Sequence, residues 1–277
     1  MKKVIVVTMK KKHYLILFVV ALLIALVSVF LKKPGNYKLT PKTEAKQEPA
    51  AELNYLPSAT HGKIVAHQYY TLSYVEKHEQ AEWVAYELTK AEALGTITRK
   101  DAFREDPSIQ TGSATLDDYK KSGYDRGHLA PAADMKFSKE AMSESFFMSN
   151  MAPQKPSFNR GIWKELEEKV REWAVQNDRI YVVTGGVLTD GLSTIGADKV
   201  SVPKYFYKVV LDYTEPETKA IAFVLPNQNS KKPLSSFAVS IDSVEKLTGI
   251  DFFPALPDDA ENALERMVTY SLWDRRN

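Results

Sequence analysis

The sequence predicts an α+β fold, on three observations. Runs rich in Val, Ile, Tyr and Phe recur through the second half of the chain; one strongly amphipathic segment lies between them; and helical and extended patterns follow one another without strict alternation. Residues 69–75 and 82–88 alternate between apolar and polar, as half-buried strands do. Residues 140–147 read as a short helix. Residues 160–174 are the clearest helix, because Ile162, Leu166, Val170, Trp173 and Ala174 fall on one face. Residues 181–184, 205–213 and 220–225 are further strands. Residues 241–248 read as a helix stopped by Gly249. Residues 258–267 form a last helix, opened by acidic residues that suit the positive end of a helix dipole. No internal repeat is present.

The N-terminus is of a different kind. Residues 14–31, YLILFVVALLIALVSVFL, carry no charge. At about 1.5 Å per residue such a helix approaches the thickness of a bilayer core. Lysines flank it, more of them on the N-terminal side, which favours an N-inside, C-outside anchor. A cleaved signal peptide is the rival reading, but VSVFLKK offers no good small-x-small site. Residues 32–57 are rich in Pro, Lys, Glu, Gln and Ala and read as a tether, with residues 54–57 a segment able to dock. The expected organisation is a basic flank (1–13), a transmembrane anchor (14–31), a flexible linker (32–57) and a globular domain (58–277). The expected location is the cytoplasmic membrane, single-pass, with that domain outside, or a secreted protein if the segment is cleaved.

Composition narrows the function classes. There is no cysteine, so disulfides, thiolate metal sites and lipid attachment through cysteine are excluded. The net charge of +2 hides an imbalance: seven of the 37 basic residues lie in residues 1–33, where there is no acid. The remaining 30 face 35 acidic residues, a net of −5. A generally basic coat for nucleic acid is therefore excluded, and any such contact requires a local cationic cleft.

Chemistry concentrates in two blocks, YDRGHLAPAADM at residues 124–135 and SNMAPQKPSFNRGIWKELE at 149–167. They supply a base (His128), a cation (Arg126), neutral amides (Asn150, Asn159) and a carboxylate (Glu167), the parts needed for metal-assisted phosphodiester hydrolysis. Arg126 and His128 are two residues apart, so an extended segment points both to the same side. A guanidinium there can hold a phosphate oxygen. Residue types alone leave bland alternatives open: Asn159 precedes the amphipathic helix and reads equally well as its N-cap. Glu167 has Glu165 and Glu168 beside it and reads as part of a solvated helix face. The aromatic residues lie mostly at core spacing.

The two blocks resemble the DNA/RNA non-specific ββα-metal (His-Me finger) endonucleases, over roughly residues 64–256. DRGH matches the family motif residue by residue, and Asn150, Asn159 and Glu167 keep its spacing. The resemblance implies a mixed, mostly antiparallel sheet core, with a hairpin carrying the base and a helix carrying the metal ligand. It makes His128 the general base, Arg126 the phosphate cation, and Asn159 the ligand of Mg²⁺, for which Mn²⁺ can substitute. Glu167 would meet the metal's water shell. Asn150 is expected on the substrate side, bracing the site, with Gln154 and Lys155 lining the cleft. A second phosphate-binding arginine is expected, either Arg104 in FREDPS or Arg99. DNA and RNA are the implied substrates, cut to leave 5′-phosphates, and the family pattern includes homodimers. The rivals are a domain that binds nucleic acid without cutting it, and an enzyme acting on another phosphodiester such as a cell-envelope polymer.

Overall fold

The computed structural model describes residues 53–268 and 270–274. The expected flank, the anchor at 14–31 and the linker up to residue 52 lie outside the described residues. Among the described residues, no helix is long and apolar enough to cross a membrane.

In chain order the elements are β1 (Lys63–Ala66), β2 (Thr71–Val75), β3 (Gln80–Thr89), α1 (Lys90–Ala93), α2 (Leu116–Tyr119), β4 (Asp125–His128), α3 (Lys139–Glu144), β5 (Met151–Gln154), α4 (Pro156–Asn159), α5 (Ile162–Asn177) and β6 (Arg179–Gly186). There follow β7 (Thr194–Ile195), β8 (Val200–Ser201), β9 (Tyr205–Asp212), β10 (Lys219–Pro226), β11 (Ala238–Val239), α6 (Ile241–Thr248), α7 (Asp258–Glu265) and α8 (Tyr270–Trp273). A seven-stranded sheet runs β1-β2-β3-β6-β9-β10-β11. Every pairing in it is antiparallel, where a mixed, mostly antiparallel sheet was expected. Neighbouring strands run as hairpins or return from the opposite direction, and no crossover of the kind a parallel pair needs is made.

The alternation seen in the sequence sorts side chains onto two faces of this sheet. Val84, Tyr86, Leu88, Ile180, Val182, Val210 and Phe223 face one core, which also holds Trp163, Leu166, Val170 and Trp173 of α5. Trp83, Ala85, Tyr181, Val183, Val209 and Ala222 face the other, with Ile241 and Val244 of α6 and Leu264 of α7. The sheet is therefore the middle of three layers. Leu53, Tyr55 and Leu56 pack on the second core, Tyr55 stacking on Tyr181 at 4.8 Å. Each fully buried large apolar side chain contributes roughly 1.5–3 kcal/mol. The apolar stripe of α5 thus fixes the rotation of the helix, and with it the direction of its polar face.

Periodicity did not reveal β4 and β5. DRGH is polar and MAPQ contains a proline, so neither looks like a strand. Pairing makes them one, with Arg126 opposite Pro153 and His128 opposite Met151. Gly127 is required there: a Cβ on it would lie 2.2 Å from the Gln154 side chain. Residues 156–159 form a separate turn of helix, and Gly161 (φ −109°, ψ −118°) separates it from α5, which runs on to Asn177. The helix expected at residues 258–267 ends at Glu265, two residues before its expected limit, and the short helix α8 follows it.

Candidate active site

One cleft, about 390 Å³ in volume, takes side chains from β4, α4, α5 and the loop before α2. It is lined by Arg99, Arg126, His128, Asn159 and Glu167 among the residues singled out in the sequence. Arg160, Lys164 and Arg171 line it as well. Five cations thus face one carboxylate, in a chain whose residues beyond 33 carry net negative charge. This is the local cationic cleft that the charge balance required.

His128 is 8% exposed. Its ring packs edge-on against Phe146 at 5.0 Å and tilts against Phe103 at 5.7 Å. Burial, with the positive charges of Arg99 and Arg126, pushes its pKa down to about 3, so the imidazole is neutral at pH 7. Nε2 is buried without a hydrogen-bond partner, a rare condition for such an atom. A neutral ring with a free nitrogen at the edge of a cleft is equipped to accept a proton from something bound there.

Arg126 lays its guanidinium over the Phe103 ring at 4.3 Å, and its Nε likewise has no partner. No ion pair holds it among the described residues. Arg99 reaches the cleft over Phe146 at 5.2 Å and pairs with Asp101 at 2.7 Å.

Asn159 is not a helix cap. The residue that caps α5 is Gly161, without any side-chain bond. Asn159 Nδ2 instead donates to Asp125 Oδ2 at 2.9 Å. A carboxylate can only accept, so the amide nitrogen must be the end that faces it. The amide oxygen is then the other end. Asp125, at the start of β4, is held in turn by Arg160 at 2.9 and 2.8 Å. An oriented amide oxygen and a carboxylate in one cleft are the hard donors that a small divalent cation prefers.

Glu167 leaves the solvated-face reading behind. It is half-buried, and burial raises its pKa, opposed first by Lys208. Lys208 is fully buried on β9; it donates to Thr184 Oγ1 and sits 5.1 Å from the Trp163 ring. Burial lowers its pKa while Glu167 supports its charge. Behind them Asp134 accepts from Arg171 at 2.8 Å and from Tyr86 at 2.7 Å.

Two expected substrate residues lie elsewhere. Asn150 is fully buried. Its Oδ1 accepts from Ala130 N at 2.8 Å, and its Nδ2 donates to Ala130 O at 2.9 Å and Ser145 O at 2.8 Å. It braces the chain just after His128 and does not line the cleft. Arg104 is consumed by the carbonyls of Ala102 and Ser143, by Ser143 Oγ and by the Phe147 ring at 4.1 Å. Of the two competing arginines, only Arg99 lines the cleft. Gln154 is buried against Gly127, and Lys155 is exposed at the start of α4; neither is in the cleft. Arg160, Lys164 and Arg171 were missed, although Lys164 and Arg171 sit three residues before and four after Glu167, on its helical face. Carboxylates also cluster as Asp242, Glu245 and Glu265, and as Asp251, Glu261 and Glu265. These belong to α6, α7 and the segment between, which pack on the opposite face of the sheet from α5.

A two-stranded ribbon bearing the base, followed by a helical turn bearing the amide and a helix bearing the carboxylate, is a ββα unit docked on an antiparallel sheet. The sequence family that matches is the DNA/RNA non-specific endonucleases, over residues 50–259, and the chain belongs to it. It is 40% identical over 224 residues to the mitochondrial nuclease EXOG of Danio rerio, covering 75% of this chain and 65% of that protein. It is 35% identical over 207 residues to the mitochondrial endonuclease G of Homo sapiens, covering 69% of this chain and 70% of that protein. The chain therefore spans just under two thirds of the length of that EXOG nuclease. Among solved structures, EndoG in its complex with EndoGI superposes with a TM-score of 0.68 at 34% identity. That match covers 72% of this chain and 89% of the solved one.

Proposed function

We propose that this chain is a divalent-metal-dependent endonuclease that hydrolyses the phosphodiester bonds of DNA and RNA without sequence preference. The observation that carries this reading is the convergence of an unpartnered neutral imidazole, an unpaired guanidinium and an oriented amide oxygen in one cationic cleft. Nε2 of His128 takes a proton from a water molecule, whose oxygen attacks phosphorus. The bond from phosphorus to the 3′-oxygen breaks, the 3′-oxygen takes a proton from solvent water and leaves as a hydroxyl, and the other product carries a 5′-phosphate. Arg126 and Arg99 neutralise the charge that grows on the non-bridging oxygens. Contacts of this kind go to the backbone and carry no base information.

Asn159 would hold the cation, Mg²⁺ with Mn²⁺ as a substitute, and Glu167 would bond to its water shell. When bound, such an ion supplies Lewis-acid charge neutralisation at the phosphodiester. Asp125 orients Asn159, and Asn150 holds the chain that follows His128. Residues 14–31 are proposed to anchor the chain in the cytoplasmic membrane with the catalytic domain outside, and two copies to form a homodimer.

The test is cleavage of plasmid DNA and of RNA by the full chain with Mg²⁺, with EDTA, and with His128→Ala. Cleavage of both polymers that EDTA and the substitution abolish is the expected result. Binding of nucleic acid without cleavage would replace this reading with that of a non-cutting domain.

A further inference from the structure

The loop that carries Arg99 into the cleft also lines a second cavity. This one is larger, about 690 Å³, and takes Ile97, Thr98, Lys100 and Ala102 from the loop and Lys139 and Met142 from α3. Residues on either side of Arg99 thus face a different space from Arg99 itself.

The cavity is built rather than incidental. Near one end of the loop, Ile97 N donates to Lys136 O at 2.8 Å. Near the other, the Arg104 guanidinium donates to Ala102 O at 3.1 Å and to Ser143 O at 2.8 Å, clamping the loop onto α3. The arginine that the sequence offered as a phosphate ligand is instead the clasp of this space.

Its lining has two chemistries. Lys100 and Lys139 are exposed, and neither is ion-paired among the described residues. No acidic residue lines the cavity. Ile97, Ala102 and Met142 supply an apolar wall, with the Thr98 hydroxyl beside them. Apolar walls with a few convergent polar groups, in a space of roughly 300–1,000 Å³, are the usual features of a site for a small organic group. Unpaired cations at its rim select a group that carries an anion.

We propose that this cavity is a subsite for a nucleotide flanking the scissile phosphate of the substrate strand. Lys100 and Lys139 hold that nucleotide's phosphate, and its base lies against Ile97, Ala102 and Met142. The proposal rests on the nuclease reading above. A strand entering the catalytic cleft past Arg99 has its next residues beside the same loop, so the two spaces serve one polyanion. The lysines give affinity, and the apolar wall accepts any base, as recognition without sequence preference requires.

The probe is a fluorescein-labelled single-stranded DNA of twelve nucleotides. Its binding to the full chain carrying His128→Ala, in neutral detergent and EDTA, is measured across a salt series. The same background is compared with added K100Q/K139Q. Losing two phosphate contacts on a single strand should reduce the slope of log affinity against log salt by about 1.4 and weaken low-salt binding roughly tenfold or more. K63Q/K246Q removes the same charge from the edge strand β1 and from α6, and should leave the slope unchanged. A K100Q/K139Q slope and affinity equal to those of the background would overturn the subsite and leave the nuclease reading standing. Wild-type chain that leaves DNA and RNA intact with Mg²⁺ would overturn both.

Discussion

His128 combines two properties that seldom coincide: it is buried, and its outer nitrogen bonds to nothing. Replacing it by alanine should lower turnover by at least roughly a hundredfold, the usual range for a lost general base, with folding retained. Circular dichroism and plasmid cleavage read the two effects separately. Burial also sets a pH dependence of stability. The folded pKa of about 3 lies below the ordinary 6.5, so between those values the unfolded chain binds more protons than the folded one. This contribution is complete above pH 6.5 and is lost as pH falls toward 3. The melting temperature should drop less between pH 7.5 and 5 in His128→Asn than in the native chain; an identical drop would show that the ring is not held neutral by burial. Asp125→Ala should raise the Mg²⁺ concentration for half-maximal activity, because the Asn159 amide loses the acceptor that orients it. A metal titration with unchanged half-saturation would leave Asp125 a partner of Arg160 only. DRGH made His128 and Arg126 legible in the sequence, but the choice between Arg99 and Arg104 was not. It depends on which guanidinium the surrounding carbonyls consume, and one of them, Ser143 O, comes from α3, 39 residues along the chain.

Among the elements, those that bury an apolar face were readable and those held by pairing were not. The α5 stripe and the strands at 82–88 and 205–213 announce themselves because burial imposes a period on side-chain type. The ribbon β4–β5 has no such period; Arg126 and His128 serve the cleft, and it is extended because each strand supplies the other's partners. Its geometry rests on one absent atom. Gly127→Ala would drive a methyl group into the Gln154 side chain at 2.2 Å, forcing the strands apart beneath His128. Overpacking of this kind costs roughly 1–3 kcal/mol. The expected result is a lower denaturant midpoint together with a loss of activity. The second substitution Gln154→Ala removes the colliding atoms and should restore much of both. If G127A/Q154A is as impaired as G127A, the close approach is not what the glycine serves.

On the proposed function a polyanion meets a chain whose residues beyond 33 carry a net charge of −5, so affinity must come from a few cations rather than from a general field. The composition made that much plain: it excluded a basic coat and demanded a cleft. It did not say where, because Arg99, Arg126, Arg160, Lys164 and Arg171 are brought together by the packing of β4 and α5 on one face of the sheet. Their number sets a limit that can be measured. Five cleft cations and the two lysines of the neighbouring cavity are the most phosphate contacts these sites offer. On single-stranded DNA, at about 0.7 per contact, log affinity against log salt should fall with a slope no steeper than about −5. A markedly steeper slope would mean that cations elsewhere contribute, and the lysines flanking residues 14–31 are the obvious source. A chain lacking residues 1–33 then decides between them: its slope should equal that of the full chain if the folded domain alone holds the nucleic acid. A shallower slope in the truncated chain would show that the lysine-rich flank, and not only the cleft, takes part in binding.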